Sequence, residues 1–355
     1  MNGKLPHILI IGNPESWQSP AIEFALTYHF PEYESDCRKR TRISVLVETK
    51  EEIHDFVFEY QELFDNSYWR TIDLTDGKPS IEGHCPQYEG LRKDFVDIEW
   101  EFIICRLSNP ILQEKIRRWA SDRQRVLTIA LCFPNSEKNK SYEEKLRRRL
   151  PDSVSFEIID CNPEVEAKRM DDLMDMARYL NYFYKISYEK GVVPTELPEE
   201  EVEKAWSEIP DERLRMSNLY NVMSIPMKMR ILGHDSNDWD KFYALTADEI
   251  EKLTAVEHNR WCVERLIQGS RPCTDTERKE IEEDRRRRLN DAEYAKSNPV
   301  SLKKKYKNER NAHYDLCAFS ELGVDETGLH VSRYDRDLTA AIPLIVKTFN
   351  DRHHG

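Results

Sequence analysis

At 355 residues the chain is long enough for two domains, and 39% apolar residues suffice to fill a core in each. Asp and Glu outnumber Lys and Arg by 66 to 53, for a formal charge of -13. That balance argues against a duplex-DNA binder, whose phosphate contacts need a basic face.

The longest uncharged apolar runs, Val126–Phe133 and Leu338–Val346, are strand-length and well short of the ~20 residues a membrane span needs. The opening MNGKLPHILIIG enters a strand-like run with no cleavable hydrophobic leader. The eight cysteines show neither a C-x-x-C pair nor metal-ligand spacing. Cys105, Cys132 and Cys161 sit in or beside apolar runs, which predicts buried, reduced thiols and a cytoplasmic protein.

As far as residue 190, apolar runs alternate with helical segments. Strands are predicted at His7–Gly12, Ile43–Glu48, Tyr68–Leu74, Phe102–Arg106, Val126–Phe133 and Val154–Ile159. Helices are predicted at Pro20–Phe30, Glu51–Phe64, Pro110–Asp122 and Ser141–Leu150. Continuous β-branched runs indicate strands buried on both faces, so residues 1–190 read as a doubly wound, Rossmann-like α/β domain.

Its first strand–helix turn lacks the glycines of a dinucleotide site. Of G-x-G-x-x-G only Gly12 remains; Pro14 has no N–H to offer a phosphate, and Trp17 is too bulky for close helix–strand packing. The expectation is a degenerate loop without a bound cofactor. Glu48 stands where a ribose-binding acid would lie, but 36 residues past Gly12 rather than about 20, and reads as a solvated strand end. A long helix over 165–189 closes this half, and its Tyr179, Tyr182, Phe183, Tyr184 and Tyr188 read as packing residues.

Gly191 ends that helix, and Val192 to Glu203 carries two prolines and five glutamates, which predicts an acidic linker over 191–210. Residues 191–260 hold 15 acids against 8 bases, and 261–320 reverse this to 14 bases against 11 acids. Residues 211–350 read as mainly helical. Thr246 with Glu249 forms a capping box and Gly269 suits a helix end, framing a helix of about six turns. On it Ile250, Leu253, Val256, Val263 and Ile267 form an apolar stripe, while Glu257, Trp261 and Glu264 share an adjacent face beside His258, Cys262 and Arg265. Two readings stand: a grip on a nucleotide, with stacking on Trp and phosphates on Arg, or a core Trp with mutually satisfied neighbours.

These residues also carry a family resemblance. Glu257-His258-Asn259-Arg260-Trp261, followed by Arg265-Leu266 and Gly269-x-Arg271, resembles the signature of the ryanodine-receptor repeat (RyR) domain in its bacterial forms. Lys307-Asn308, His313, Leu316, Phe319 and Leu322, then Asp335-Arg336-Asp337 and Ile342-Pro343-Leu344, are similar to the second half of that signature. Ala205-Trp206-Ser207, Arg215–Asn218 and Met227–Arg230 resemble helices that join such a domain to a TrkA-N-type Rossmann domain. The chain departs from the pattern in its degenerate loop, in the long charged segment 275–306 and at Gly323–Ser332.

The resemblance implies a non-enzymatic bacterial sensor that binds a nucleotide or nucleotide-derived ligand in signalling or defence, with a protein-interaction scaffold as the alternative. It implies Glu257, His258, Arg260, Trp261, Arg265, Arg271, His313, Tyr314, Asp335 and Arg336 as ligand-binding residues. Partners are expected to be a nucleotide-like small molecule and, beyond it, a protein or a second copy of the chain.

No catalytic motif appears, and His258 has Cys262 rather than a second histidine at i+4. Arg285–Arg288 follows Glu282, Glu283 and Asp284 and reads as a salt-bridged helix face. Lys303–Lys305 with Lys307 is less compensated and suits an anion entrance. The closing Asp351–Gly355, with His353 and His354, reads as a disordered end.

Overall fold

The computed structural model describes residues 4–87, 93–159, 163–234, 244–325 and 328–353. Its N-terminal part is a sheet of seven strands: β1 (Leu5–Gly12), β2 (Thr41–Val47), β3 (Tyr68–Asp73), β4 (Ser80–His84), β5 (Ile98–Ile104), β6 (Arg125–Cys132) and β7 (Ser155–Ile158). The order is β4-β3-β5-β2-β1-β6-β7, and every pairing is parallel except β3 with β4. This is the expected α/β architecture. Ile8, Leu9 and Ile10 of the central β1 are fully buried, because helices cover both faces of the sheet.

One face carries α1 (Gln18–Thr27), α2 (Lys50–Glu59) and α3 (Gln61–Asp65), through Phe24, Phe56 and Phe64. The other carries α4 (Pro110–Ala120) and α5 (Ser136–Arg147), through Leu112, Ile116 and Leu146. Local sequence explains where several of these helices begin. Asn109 caps α4 ahead of Pro110, Asn135 caps α5, and Thr49 with Glu52 makes a capping box for α2.

Three local predictions differ from what is observed. The single helix expected over Glu51–Phe64 breaks at Tyr60, whose backbone leaves the helical region at ψ 42°. Strand β5 begins four residues before its predicted start, because Glu99 and Glu101 hide its apolar run. Both acids are neutralised in place, Glu99 by Arg42 and Arg125, and Glu101 by Arg70 and Lys115. Strand β4 left no apolar signal because it is an exposed edge strand with Ile81 62% exposed.

The remainder is helical. It comprises α6 (Pro163–Lys190), α7 (Glu199–Ser207), α8 (Glu212–Met223), α9 (Ile225–Ile231), α10 (Ala247–Ile267), α11 (Asp275–Asn290), α12 (Ala292–Ser297), α13 (Leu302–Arg310), α14 (Arg333–Ala340) and α15 (Ile342–His353). A two-residue parallel pair joins β8 (Arg271–Pro272) to β9 (Ala312–His313). The predicted linker is not all connector: its second half is α7, which buries Val202, Ala205 and Trp206 against α6 and α8. The glutamates that make it read as solvated occupy the outer face of an amphipathic helix.

The two halves share a core. Cys262, Val263 and Leu266 of α10 pack with Ile8, Trp17 and Phe24 on the sheet's α1 side, joined by Met227 and Leu316. A polar contact crosses the same boundary: Asp97, which is paired with buried His29 of its own half at 2.8 Å, accepts from Asn259 at 3.5 Å. Cys105, Cys132, Cys262, Cys273 and Cys317 are buried and none is in a disulfide among the described residues, Cys37 and Cys85 are exposed, and Cys161 lies outside the described residues. The chain end is helical as far as His353; His354 and Gly355 lie outside the described residues. Among the described residues no helix is long and apolar enough to cross a membrane.

Candidate functional site

The helix framed by Thr246 and Gly269 forms as predicted, with its capping box made and Gly269 at φ +79°. It is buried far more completely than one apolar stripe implies. Glu257, Asn259 and Glu264 are wholly inaccessible, and Arg260 is 1% exposed. Polar residues survive there because each finds a partner. Lys228 Nζ on α9 donates to Glu257 Oε2 at 2.7 Å, and Arg260 bridges Glu257 on one side to Glu264 at 2.7 Å on the other. Burial works to raise the Glu257 carboxyl, but Arg260 and Lys228 outweigh it and hold it at about 2.

Beside this network lies a cavity of about 620 Å³ walled by α6, α8, α10, α13, α14 and the segment after β9. Seven of the ten predicted residues line it: His258, Arg260, Trp261, Arg265, His313, Tyr314 and Asp335. Two motifs more than 50 residues apart thus meet in space. The Trp261 ring lies edge-on to His313 at 4.8 Å and packs near-parallel on His258 at 5.9 Å, with the Arg265 guanidinium 5.7 Å from it.

His258 is held from both ends, by the Cys317 carbonyl at 2.9 Å and by Asp335 at 3.4 Å. Burial pushes the His313 imidazole down to about 3, so it is neutral near pH 7. Its Nδ1 accepts from the Asp315 N–H at 3.3 Å, which places the proton of the neutral imidazole on Nε2.

Three predicted residues fall elsewhere. Glu257 has no open face, since its carboxylate is consumed by Lys228 and Arg260. Arg271 grips Glu277 with two hydrogen bonds of 2.8 Å, alongside Arg310. Arg336 pairs with Glu251 on the solvent side of α14. Arg260 reaches the wall, but its guanidinium is already occupied.

The cavity also draws on residues read as packing. Tyr184 and Tyr188 of the α6 stripe stack at 6.0 Å and meet Tyr334, whereas Tyr179, Tyr182 and Phe183 enter the core among α7, α8 and α15. Lys303, Lys304 and Lys307, spaced i, i+1 and i+4 on α13, line the opening. Lys303 pairs with Asp315; Lys304 and Lys307 have no carboxylate partner among the described residues. Two lining amides, Asn181 Nδ2 and Asn221 Nδ2, and the Arg265 Nε–H are buried donors without an acceptor among the described residues. The tyrosine stripe and the lysine run were the sequence signals for this part of the site. Their convergence was not legible, because α6 and α13 are over 110 residues apart.

The site offers aromatic faces, a neutral histidine and unpaired cations. Burial raises the Cys262 thiol, so it supplies no thiolate nucleophile. No group of three or more potential metal ligands occurs among the described residues. Arg285–Arg288 behaves as expected of a salt-bridged helix: Arg287 pairs with Glu283 and Arg288 with Asp284 at i, i+4. The chain matches no family model, no curated protein and no solved structure.

Proposed function

We propose that the chain is a non-enzymatic binding protein whose helical half, an RyR-type domain, recognises a nucleotide or nucleotide-derived ligand. The observation that carries this reading is the set of buried donors without acceptors, on Asn181, Asn221 and Arg265, in a cavity bounded by aromatic rings and lysines. Unmet buried donors are costly, and an acceptor-rich heterocycle or ribose satisfies them. The size of about 620 Å³ suits a ligand of that class. In this reading the base packs among Trp261 and the Tyr184–Tyr188–Tyr334 group, and phosphates meet Lys304 and Lys307. His313 donates through Nε2.

Calorimetric titration with adenine nucleotides, ADP-ribose derivatives and cyclic nucleotides tests this. Saturable binding to one of them, lost in a folded Trp261→Ala variant, is the expected result. Absence of binding to all of them, or binding indifferent to Trp261→Ala, refutes it. A Trp261→Ala chain that loses its circular-dichroism signal and its melt supports the scaffold alternative.

A further inference from the structure

The sheet holds a second cavity, of about 460 Å³, lined by none of the residues that line the cavity at Trp261. After β1 the chain adds β2 on one side, and after β5 it crosses to add β6 on the other, so strand order reverses at β1 and β6. Open α/β sheets take ligands in the crevice beyond the strand ends at such a reversal. The cavity lies there, floored by Gly12 at the end of β1, Val47 at the end of β2, and Cys105 and Phe133 just beyond β5 and β6. Gly12 is required by packing: a Cβ there would stand 2.8 Å from Ser16 Oγ and 3.2 Å from Cys132 Cβ.

Four cations ring this floor: Arg106, Lys138, Lys145 and Arg149. None has a carboxylate partner among the described residues, in a chain with an excess of acid. Their neighbours at the end of α5 behave oppositely, since Arg147 and the capping Arg148 pair with Glu143 and Glu144 at i, i+4. Lys138, Tyr142 and Lys145 follow i, i+4, i+7 spacing, which places them along one face of α5, and Arg149 follows in the turn just beyond its end.

Aromatic rings carry the lysines in place of carboxylates. Phe133 stacks on Tyr142 at 5.0 Å, Lys138 Nζ sits 3.9 Å from the Phe133 centroid, and Lys145 Nζ 5.4 Å from that of Tyr142. Buried Asn139 fixes the arrangement by bonding both the N–H and the carbonyl of Phe133 at 2.9 Å. A cation on a π-face keeps its full charge for an anion.

We infer that this switch-point cavity is a second ligand site, which binds a small phosphate-bearing anion through Arg106, Lys138, Lys145 and Arg149. It does so without a glycine-rich loop, whose place is filled by Trp17, fully buried against Phe56 and Phe102. Glu48 is the one acid among the described lining residues and is exposed, so it accepts from a ligand hydroxyl and repels an anion that has none.

The test is calorimetric titration of inorganic pyrophosphate into the full chain carrying Lys304→Ala and Lys307→Ala, which removes the unpaired lysines of the first cavity and separates the two sites. One saturable site is expected, weakened about tenfold or more by adding Lys145→Ala with Arg149→Ala, and also weakened by Arg106→Ala alone. Glu48→Gln is expected to tighten it. All these side chains are exposed, and an unchanged melt checks folding. No saturable binding, or an affinity indifferent to both sets of variants, overturns the proposal. So does preferential binding of a single-stranded RNA oligomer lost in the same variants, which assigns the cations to nucleic acid.

Discussion

Lys228 Nζ and Glu257 Oε2 lie 2.7 Å apart with both side chains inaccessible, pinning α9 to the centre of α10. Arg260 occupies the other side of the same carboxylate, so one anion holds two cations in the interior. Removing one partner of a buried pair leaves uncompensated charge, and Glu257→Gln should cost about 3–5 kcal/mol in urea denaturation. Lys228→Met keeps Arg260 on the carboxylate and should cost less. Equal stability of the Glu257→Gln and parent chains would remove the pair from any structural role.

Acid should reveal the same groups. The Glu257 carboxyl sits at about 2 against an ordinary 4.5, so its stabilisation is complete above the ordinary value and is lost as pH falls towards 2. His313 sits at about 3 against 6.5, because burial disfavours its charged form. Its unfolded form takes up a proton below 6.5 while the folded form does not, so stability declines from pH 6.5 downwards. His313→Gln should therefore flatten the fall in stability between pH 6.5 and 5, measured by urea denaturation at both values. An unaltered slope would show that His313 titrates normally.

Arg271 and Arg336 should separate from the ligand site. Arg271→Ala strips Glu277 of a bidentate partner and should lower the melting temperature while leaving ligand affinity intact. Arg336→Ala, which loses an exposed pair, should change stability by no more than about 1 kcal/mol and affinity not at all. A loss of nucleotide binding in either variant would contradict their placement outside the cavity.

The lysines of α13 should act through charge. Lys304→Ala and Lys307→Ala are each expected to weaken the nucleotide ligand and to reduce the dependence of its affinity on salt, because each removes an unpaired cation near the phosphates. Titrations at low and high salt measure this. Salt dependence identical to the parent would place the phosphates elsewhere.

Trp206 tests the helix found in place of a connector. It is 7% exposed in the core shared by α6, α7 and α8, and Trp206→Ala should cost about 3–5 kcal/mol through the cavity left behind. A near-neutral effect would return residues 199–207 to the solvated connector that their glutamates suggest.

The interior strands were readable from the chain because β1, β2 and β6 bury both faces and so become continuous apolar runs. Edge strand β4 and the acid-interrupted start of β5 were not, since one has no buried face and the other hides behind ion pairs. On α10, spacing and capping were enough to find the helix and to place Trp261 among charged neighbours. They did not separate Glu257, spent on Lys228, from His258 and Arg265, which reach the cavity wall.

Local sequence determined the alternation of elements, the capped α10 and the absence of a glycine-rich loop, because each depends on residues within a few turns of one another. Even the overall acidity was legible only as a sum. Tertiary structure decided where unpaired positive charge stands: at α13 beside the tyrosines of α6, and along α5 at the reversal of the sheet. Whether a cation is free or spent depends on which carboxylates the fold brings within about 4 Å of it, and those partners come from distant parts of the chain.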